Sequence, residues 1–206
     1  MNRNTHRKIR PEIKLAGYAF ILAAAAVMND RTPFPSEMAQ TVFPAGHTES
    51  AQVRVIPAGA KTIYYNIPFS AEEQNIVRAS AEEFGVPFSL ALAVIEVESG
   101  YNEEAVSKDG KSVGAMQIHE VNHPALKKAL GEEELYSLRA NTRAGCYMLG
   151  AYLEKYGSEN MALMAYNLGA GGAGKKWKQG IYETRYTGKV AKAKDALEAI
   201  PESLLG

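Results

Sequence analysis

The residues best suited to chemistry stand at the end of one strongly apolar run. Ile95-Glu96-Val97-Glu98-Ser99-Gly100-Tyr101-Asn102 carries two carboxylates two residues apart. On a helix two residues turn the chain by about 200°, so Glu96 and Glu98 face nearly opposite ways. Glu98 shares its face with Ala91 and Ile95, at spacings of seven and three residues. A carboxyl group among such neighbours is expected to be poorly solvated. Its charged form is then penalised, and it keeps a proton toward neutral pH, as a general acid must. Spacing alone leaves an equal alternative, two solvated carboxylates at a helix end.

Three further blocks carry groups that suit a polar ligand. In Gly114-Ala115-Met116-Gln117-Ile118 the glycine permits close backbone approach, and the glutamine offers both a donor and an acceptor. Ala165-Tyr166-Asn167-Leu168-Gly169 precedes the glycine-rich stretch 170–174, and its ring and amide match the apolar face and hydroxyls of a sugar. Glu183-Thr184-Arg185-Tyr186 is the third block, with Val190 four residues beyond the tyrosine. Taken singly, Met116 or Tyr166 reads more readily as a core residue. His119 and His123 have the spacing of zinc ligands on a helix, but Asn122 and Pro124 mark a turn and no zincin glutamate follows. They read as solvated or capping residues, and neither a metal nor a cofactor is expected. Cys146 is the single cysteine and lies in an apolar helical pattern with Ala144, Met148 and Ala151, so it is expected to act as a small buried hydrophobe.

These groups need helices to position them. Ser70 and Glu73 form a capping box ahead of Ile76, Val77 and Phe84, and Gly85 and Pro87 end that helix. The next, from about 88 to 98, is apolar almost all round and should be central and buried. Further helices are expected near 113–120, 123–130, 142–156, 159–168 and 184–198. Asn141 and Ser158 are the expected caps, and Gly157 and Gly169 the expected stops. No segment from 70 to 206 alternates like a strand, so the domain is predicted to be all-α and compact.

The bulk numbers agree with one soluble-type domain and extra segments. The chain has 206 residues, 46% hydrophobic and 22% charged, with a formal charge of zero. Five basic residues against Glu12 alone make residues 1–14 positive, so the rest is mildly acidic and carries no footprint for nucleic acid. The uncharged run Leu15–Met28 is short for a membrane span and typical of a signal-peptide core. Residues 1–28 are therefore expected to be a signal peptide or an N-terminal membrane anchor acting through residues 15–28. Residues 29–69, interrupted by five prolines, read as a spacer, with short extended pieces at Val53–Ile56 and Ile63–Ile67, and residues 70–206 as the catalytic domain. An extracytoplasmic location follows. Nothing demands more than a monomer.

Taken in order, ESGYN around Glu98, GAMQI at 114–118, NTRAG at 141–145, AYNLGAGG at 165–172 and ETRYTGKV at 183–190 resemble the soluble (Slt-like) lytic transglycosylases of bacterial cell walls. The resemblance covers about 130 residues, from Tyr64 to Lys194. It implies a goose-type lysozyme-like fold and peptidoglycan glycan strands as partner. It also implies cleavage between N-acetylmuramic acid and N-acetylglucosamine, leaving a 1,6-anhydromuramyl end. Glu98 matches the family's catalytic glutamate and Ser99 its neighbour. Met116 and Gln117 match groove positions together with Gly114, Tyr166 and Asn167 the far wall, and Tyr186 a tyrosine beside the catalytic carboxyl. Tyr186 follows Glu183 by three residues, where the family pattern has four. Asn141 and Gly145 read as structural. The site is expected to be a sugar-sized cleft faced by Glu98. A lysozyme-type muramidase and a catalytically silent glycan-binding envelope protein are the alternatives.

Overall fold

Phe34 and residues 62–199 are the residues described in the structure, a computed structural model. The apolar run at 15–28 and the extended piece at Val53–Ile56 lie outside them. The first helix, α1 (Ala71–Glu83), starts as its residues dictate. Ser70 Oγ accepts from Glu73 N–H at 3.3 Å and Glu73 Oε2 accepts from Ser70 N–H at 2.6 Å. Residues 63–67 do not form a strand. Instead the buried side chain of Gln74 accepts from Tyr65 N–H and donates to the carbonyls of Tyr65 and Phe69, which straps this stretch to α1. Tyr65 and Ile67 rest on the core.

Helix α2 (Phe88–Ser99) is central, with every side chain from Leu90 to Ile95 fully buried. Each leucine or isoleucine so buried contributes on the order of 1.5–3 kcal/mol. The helix ends where Gly100 turns left-handed, just past Glu98.

The helix expected at 113–120 does not form. Ser112–Val113 (β1) pairs antiparallel with Ile118–His119 (β2), Ser112 opposite His119 and Val113 opposite Ile118, and Val106 bridges to Val113. The reason is local: Gly114 at φ +77° and Gln117 at φ +48° lie in the left-handed region, which an α-helix cannot contain. A short 3-10 turn (Glu120–Asn122) follows, then α3 (His123–Leu130) with Pro124 in its first turn.

Helix α4 (Leu138–Tyr156) begins four residues earlier than expected. Ser137 caps it, its Oγ accepting from Ala140 N–H, so Asn141 lies inside the helix with its side chain free for another task. Gly157 ends it, and Ser158 caps α5 (Glu159–Trp177), as the sequence indicates. Gly169 does not stop α5. It kinks the helix at φ 72°, ψ 157°, a conformation open to glycine, and the glycine-rich stretch continues as helix to Trp177. Thr184 and Thr187 cap each other reciprocally at the start of α6 (Arg185–Glu198). Helix α2 packs chiefly on α6, α1 on α4, and α4 on α5. The result is an all-α, lysozyme-like domain with one small hairpin.

Candidate active site

Two helix ends meet at the carboxylate. Glu98 is half-buried in the last turn of α2, and Tyr186 is buried in the first turn of α6. The packing of α2 on α6 brings them together, and Tyr186 Oη donates to Glu98 Oε1 at 2.8 Å. A hydrogen bond to a carboxylate is shorter and stronger than a neutral one, so the phenol orients Glu98. The three-residue spacing from Glu183 to Tyr186 costs nothing here, because the Thr184 cap sets where α6 starts.

The opposite wall is the hairpin. Gln117, left-handed at φ +48°, is held there by its own amide, whose Nε2 donates to Ala105 O at 3.1 Å and to Gly114 O at 3.0 Å. Such backbone strain costs on the order of 1–3 kcal/mol and persists only where the surroundings fix it. Tyr166 Oη donates to Met116 O at 2.9 Å and ties α5 to the same loop. Glu98, Gln117 and Tyr166 line one cavity with Ile118, His119, Asn122 and Met148. Its volume is about 10 Å³, room for one water molecule.

Several site residues do other work than the sequence indicates. Ser99 is buried, with its hydroxyl bonded back to Ile95 O, so it presents nothing to a ligand. Met116 is fully buried and faces α4, where a Cβ on Gly145 would stand 2.2 Å from its sulfur. It shapes the loop through its backbone carbonyl. The left-handed Gly114 admits a neighbouring side chain rather than a ligand, since a Cβ there would lie 2.2 Å from Asn141 Nδ2. Asn167 is half-buried beside Tyr166 on α5, outside the lining of the small cavity.

The residue that sequence reasoning misjudged most is Asn141. It does not cap α4. Fully buried, its Oδ1 accepts from Met116 N–H at 2.8 Å and its Nδ2 donates to Val113 O and Leu135 O, both at 2.9 Å. This amide clamps the hairpin against α4. Asn122 and Met148 are wall residues that no motif signalled.

Glu98 is the one acidic residue in its cavity's lining among the described residues. Exposed Glu96 accepts from Tyr101, whose hydroxyl is pushed well above the usual tyrosine range by burial and by that neighbouring charge. Glu103 and Glu104 line a separate cleft of about 400 Å³ with Glu134 and Tyr136, and Glu98 is absent from it. Asp109 is bound by Ser107, Glu120 is exposed, and Glu183 accepts from Asn160. The histidines act as caps and braces: His119 Nδ1 accepts from Val121 N–H, and His123 Nε2 lies 3.1 Å from Ile118 O. Cys146 is fully buried, and burial pushes its thiol far above the ordinary range, so it is no nucleophile.

Fold and site together define a lysozyme-like helical domain with Glu98 where two helix ends meet. The chain belongs to the transglycosylase SLT domain family, whose sequence model matches residues 75–187. It is 32% identical over 116 residues to a transglycosylase of enterobacteria phage PRD1, covering 56% of this chain and 40% of the phage protein. It is 31% identical over 102 residues to protein IpgF of Shigella flexneri, covering 47% of this chain and 67% of that protein. The chain thus spans well under half of the phage relative's length.

Proposed function

We propose that this protein is a peptidoglycan lytic transglycosylase with Glu98 as its only catalytic acid and base. The observation that carries the reading is the Tyr186–Glu98 hydrogen bond of 2.8 Å, in a cavity whose described lining holds no second carboxylate. Most glycosidases need two carboxylates, the second serving as nucleophile or as base for water. One suffices if the substrate supplies its own nucleophile. Protonated Glu98 gives its proton to the oxygen joining N-acetylmuramic acid to N-acetylglucosamine, and the C1–O bond breaks. The muramyl ring takes on oxocarbenium character. Its 6-hydroxyl then bonds to C1 and passes its proton to the Glu98 carboxylate. The acid is restored, a 1,6-anhydromuramyl end forms, and no water is consumed. An intramolecular attack of this kind gains from fixed orientation. Tyr186 would return its hydrogen bond to the carboxylate each time the charge appears.

Such a substrate implies work outside the cytoplasmic membrane, with residues 15–28 as export signal or anchor, and a monomer suffices for it. The test is mass spectrometry of muropeptides released from purified sacculi. Wild type is expected to give products lighter by one water than hydrolysis gives, and Glu98→Gln almost none. Products of hydrolytic mass would instead identify a muramidase, and no release by the wild type a glycan-binding protein.

A further inference from the structure

Helix α6 carries its charges against its own dipole. Anions stabilise a helix near its N-terminus and cations near its C-terminus. Here Arg185 stands in the first turn, Lys189 and Lys192 follow, and Asp195 and Glu198 lie toward the far end. Helix stability therefore does not account for these charges. The three cations share one face, at spacings of four and three residues. Each stands one position before a member of the buried stripe Tyr186, Val190 and Ala193, so the cationic face flanks the face packed on the core. Arg185 and Lys192 are exposed, and Lys189 between them is half-buried. Lys194, on the other side of the buried stripe, meets Glu159 at 3.3 Å and Glu198 at 3.8 Å. The cationic face continues a basic stretch, since Lys175, Lys176 and Lys178 precede it and Glu183 is the one acidic residue from 175 to 192. The chain as a whole has zero net charge.

We propose that the Arg185–Lys192 face of α6 binds the carboxylates of the short peptide carried by the muramyl sugar, so that peptide-bearing strands are preferred to bare glycan. This rests on the glycan-cleaving reading above. Tyr186 Oη lies 2.8 Å from Glu98 Oε1, so the cationic face begins one residue from the carboxylate that breaks the bond. The sugar cleaved there is the muramyl ring, and its lactyl group is the point from which the peptide hangs. Lys192 is six residues beyond Tyr186, about 9 Å along the helix axis. An extended peptide of three residues spans about 10 Å, so its side-chain and terminal carboxylates come within reach of this face. The planar fork of Arg185 matches a carboxylate in two hydrogen bonds. Exposed ion pairs add little affinity each, and several along one peptide are enough to sort strands.

The experiment titrates full-length Glu98→Gln with soluble glycan strands that keep their peptides and with the same strands stripped of peptides by an amidase. The peptide-bearing strands are expected to bind about fivefold tighter, the scale of two exposed ion pairs. Adding Arg185→Gln and Lys192→Gln together should bring the two affinities level. Adding Lys192→Gln alone should lower the preference about twofold, and it decides the question if the double variant does not fold. Arg185→Lys with Lys192→Arg keeps both charges and should keep the preference, which a merely structural role for these side chains would not produce. Equal binding of both strands by the starting protein, or binding of neither, overturns the proposal. So does a glutamine variant that keeps the preference, or one that loses affinity equally for both strands. The catalytic reading fails separately, when sacculi treated with the enzyme having native Glu98 release no anhydro ends.

Discussion

At the residue scale the site is a carboxylate held by a tyrosine. Tyr186 donates to Glu98 from a helix that begins at a reciprocal threonine cap, so its hydroxyl arrives with little freedom left to lose. Hydrogen bonds to charged groups are worth about 1.5–3 kcal/mol. Tyr186→Phe keeps the ring and removes only this donor. It is expected to lower kcat on sacculi by roughly tenfold to a hundredfold, with the protein still folded, since about 1.4 kcal/mol corresponds to tenfold. A variant with undiminished kcat would show that the phenol does not serve the carboxylate. Glu98 and Tyr186 stand out in the sequence because each lies in a block with distinctive neighbours. Ser99 in the block of Glu98 and Met116 in the block at 114–118 carry structural tasks, and nothing in a residue's type separates the two kinds of service.

At the element scale the hairpin is the part that spacing could not reveal. Val113, Met116 and Ile118 have apolar spacings that a helix could also bury, so periodicity favours the wrong element. Conformation decides instead: Gly114 and Gln117 are left-handed, and only the glycine advertises it. The clamp that makes the hairpin stable comes from Asn141, 24 residues beyond Gln117 in the sequence, and its three bonds depend on tertiary contact. Asn141→Ala would take a buried partner from Met116 N–H and from the carbonyls of Val113 and Leu135. Each such group costs about 1–3 kcal/mol, so a loss of roughly 3–5 kcal/mol is expected in urea unfolding. Gly114→Ala should be comparably damaging, because it adds a Cβ 2.2 Å from the same amide in a backbone region hostile to alanine. If both variants unfold within about 0.5 kcal/mol of wild type, the level of an ordinary surface substitution, the clamp carries no weight. The ordinary elements were legible: Ser70, Ser158 and Gly157 mark true ends because their signals act within a few residues.

At the scale of the whole molecule an aromatic row links distant parts of the chain. Phe34 meets Tyr152 of α4, Tyr152 stacks on Tyr156 at 5.9 Å, and Tyr156 meets Trp177 edge-on at 4.8 Å at the far end of α5. Aromatic pairs of this kind add about 0.5–1.5 kcal/mol each beyond burial. The row counteracts the weakness that Gly169 introduces, since the kinked, glycine-rich end of α5 has poor helix propensity of its own. Its stability comes from α4 through Tyr156. The end of α5 should therefore unfold together with the core. Trp177 is the only tryptophan of the chain, so its fluorescence reports that end alone, while far-ultraviolet circular dichroism reports all the helices. The two are expected to give one coincident transition in urea, as a two-state domain requires. Tyr156→Ala removes the link and should move the fluorescence transition to lower urea than the dichroism transition. Coincident curves in that variant would mean that α5 beyond Gly169 holds to the domain by other contacts than this row.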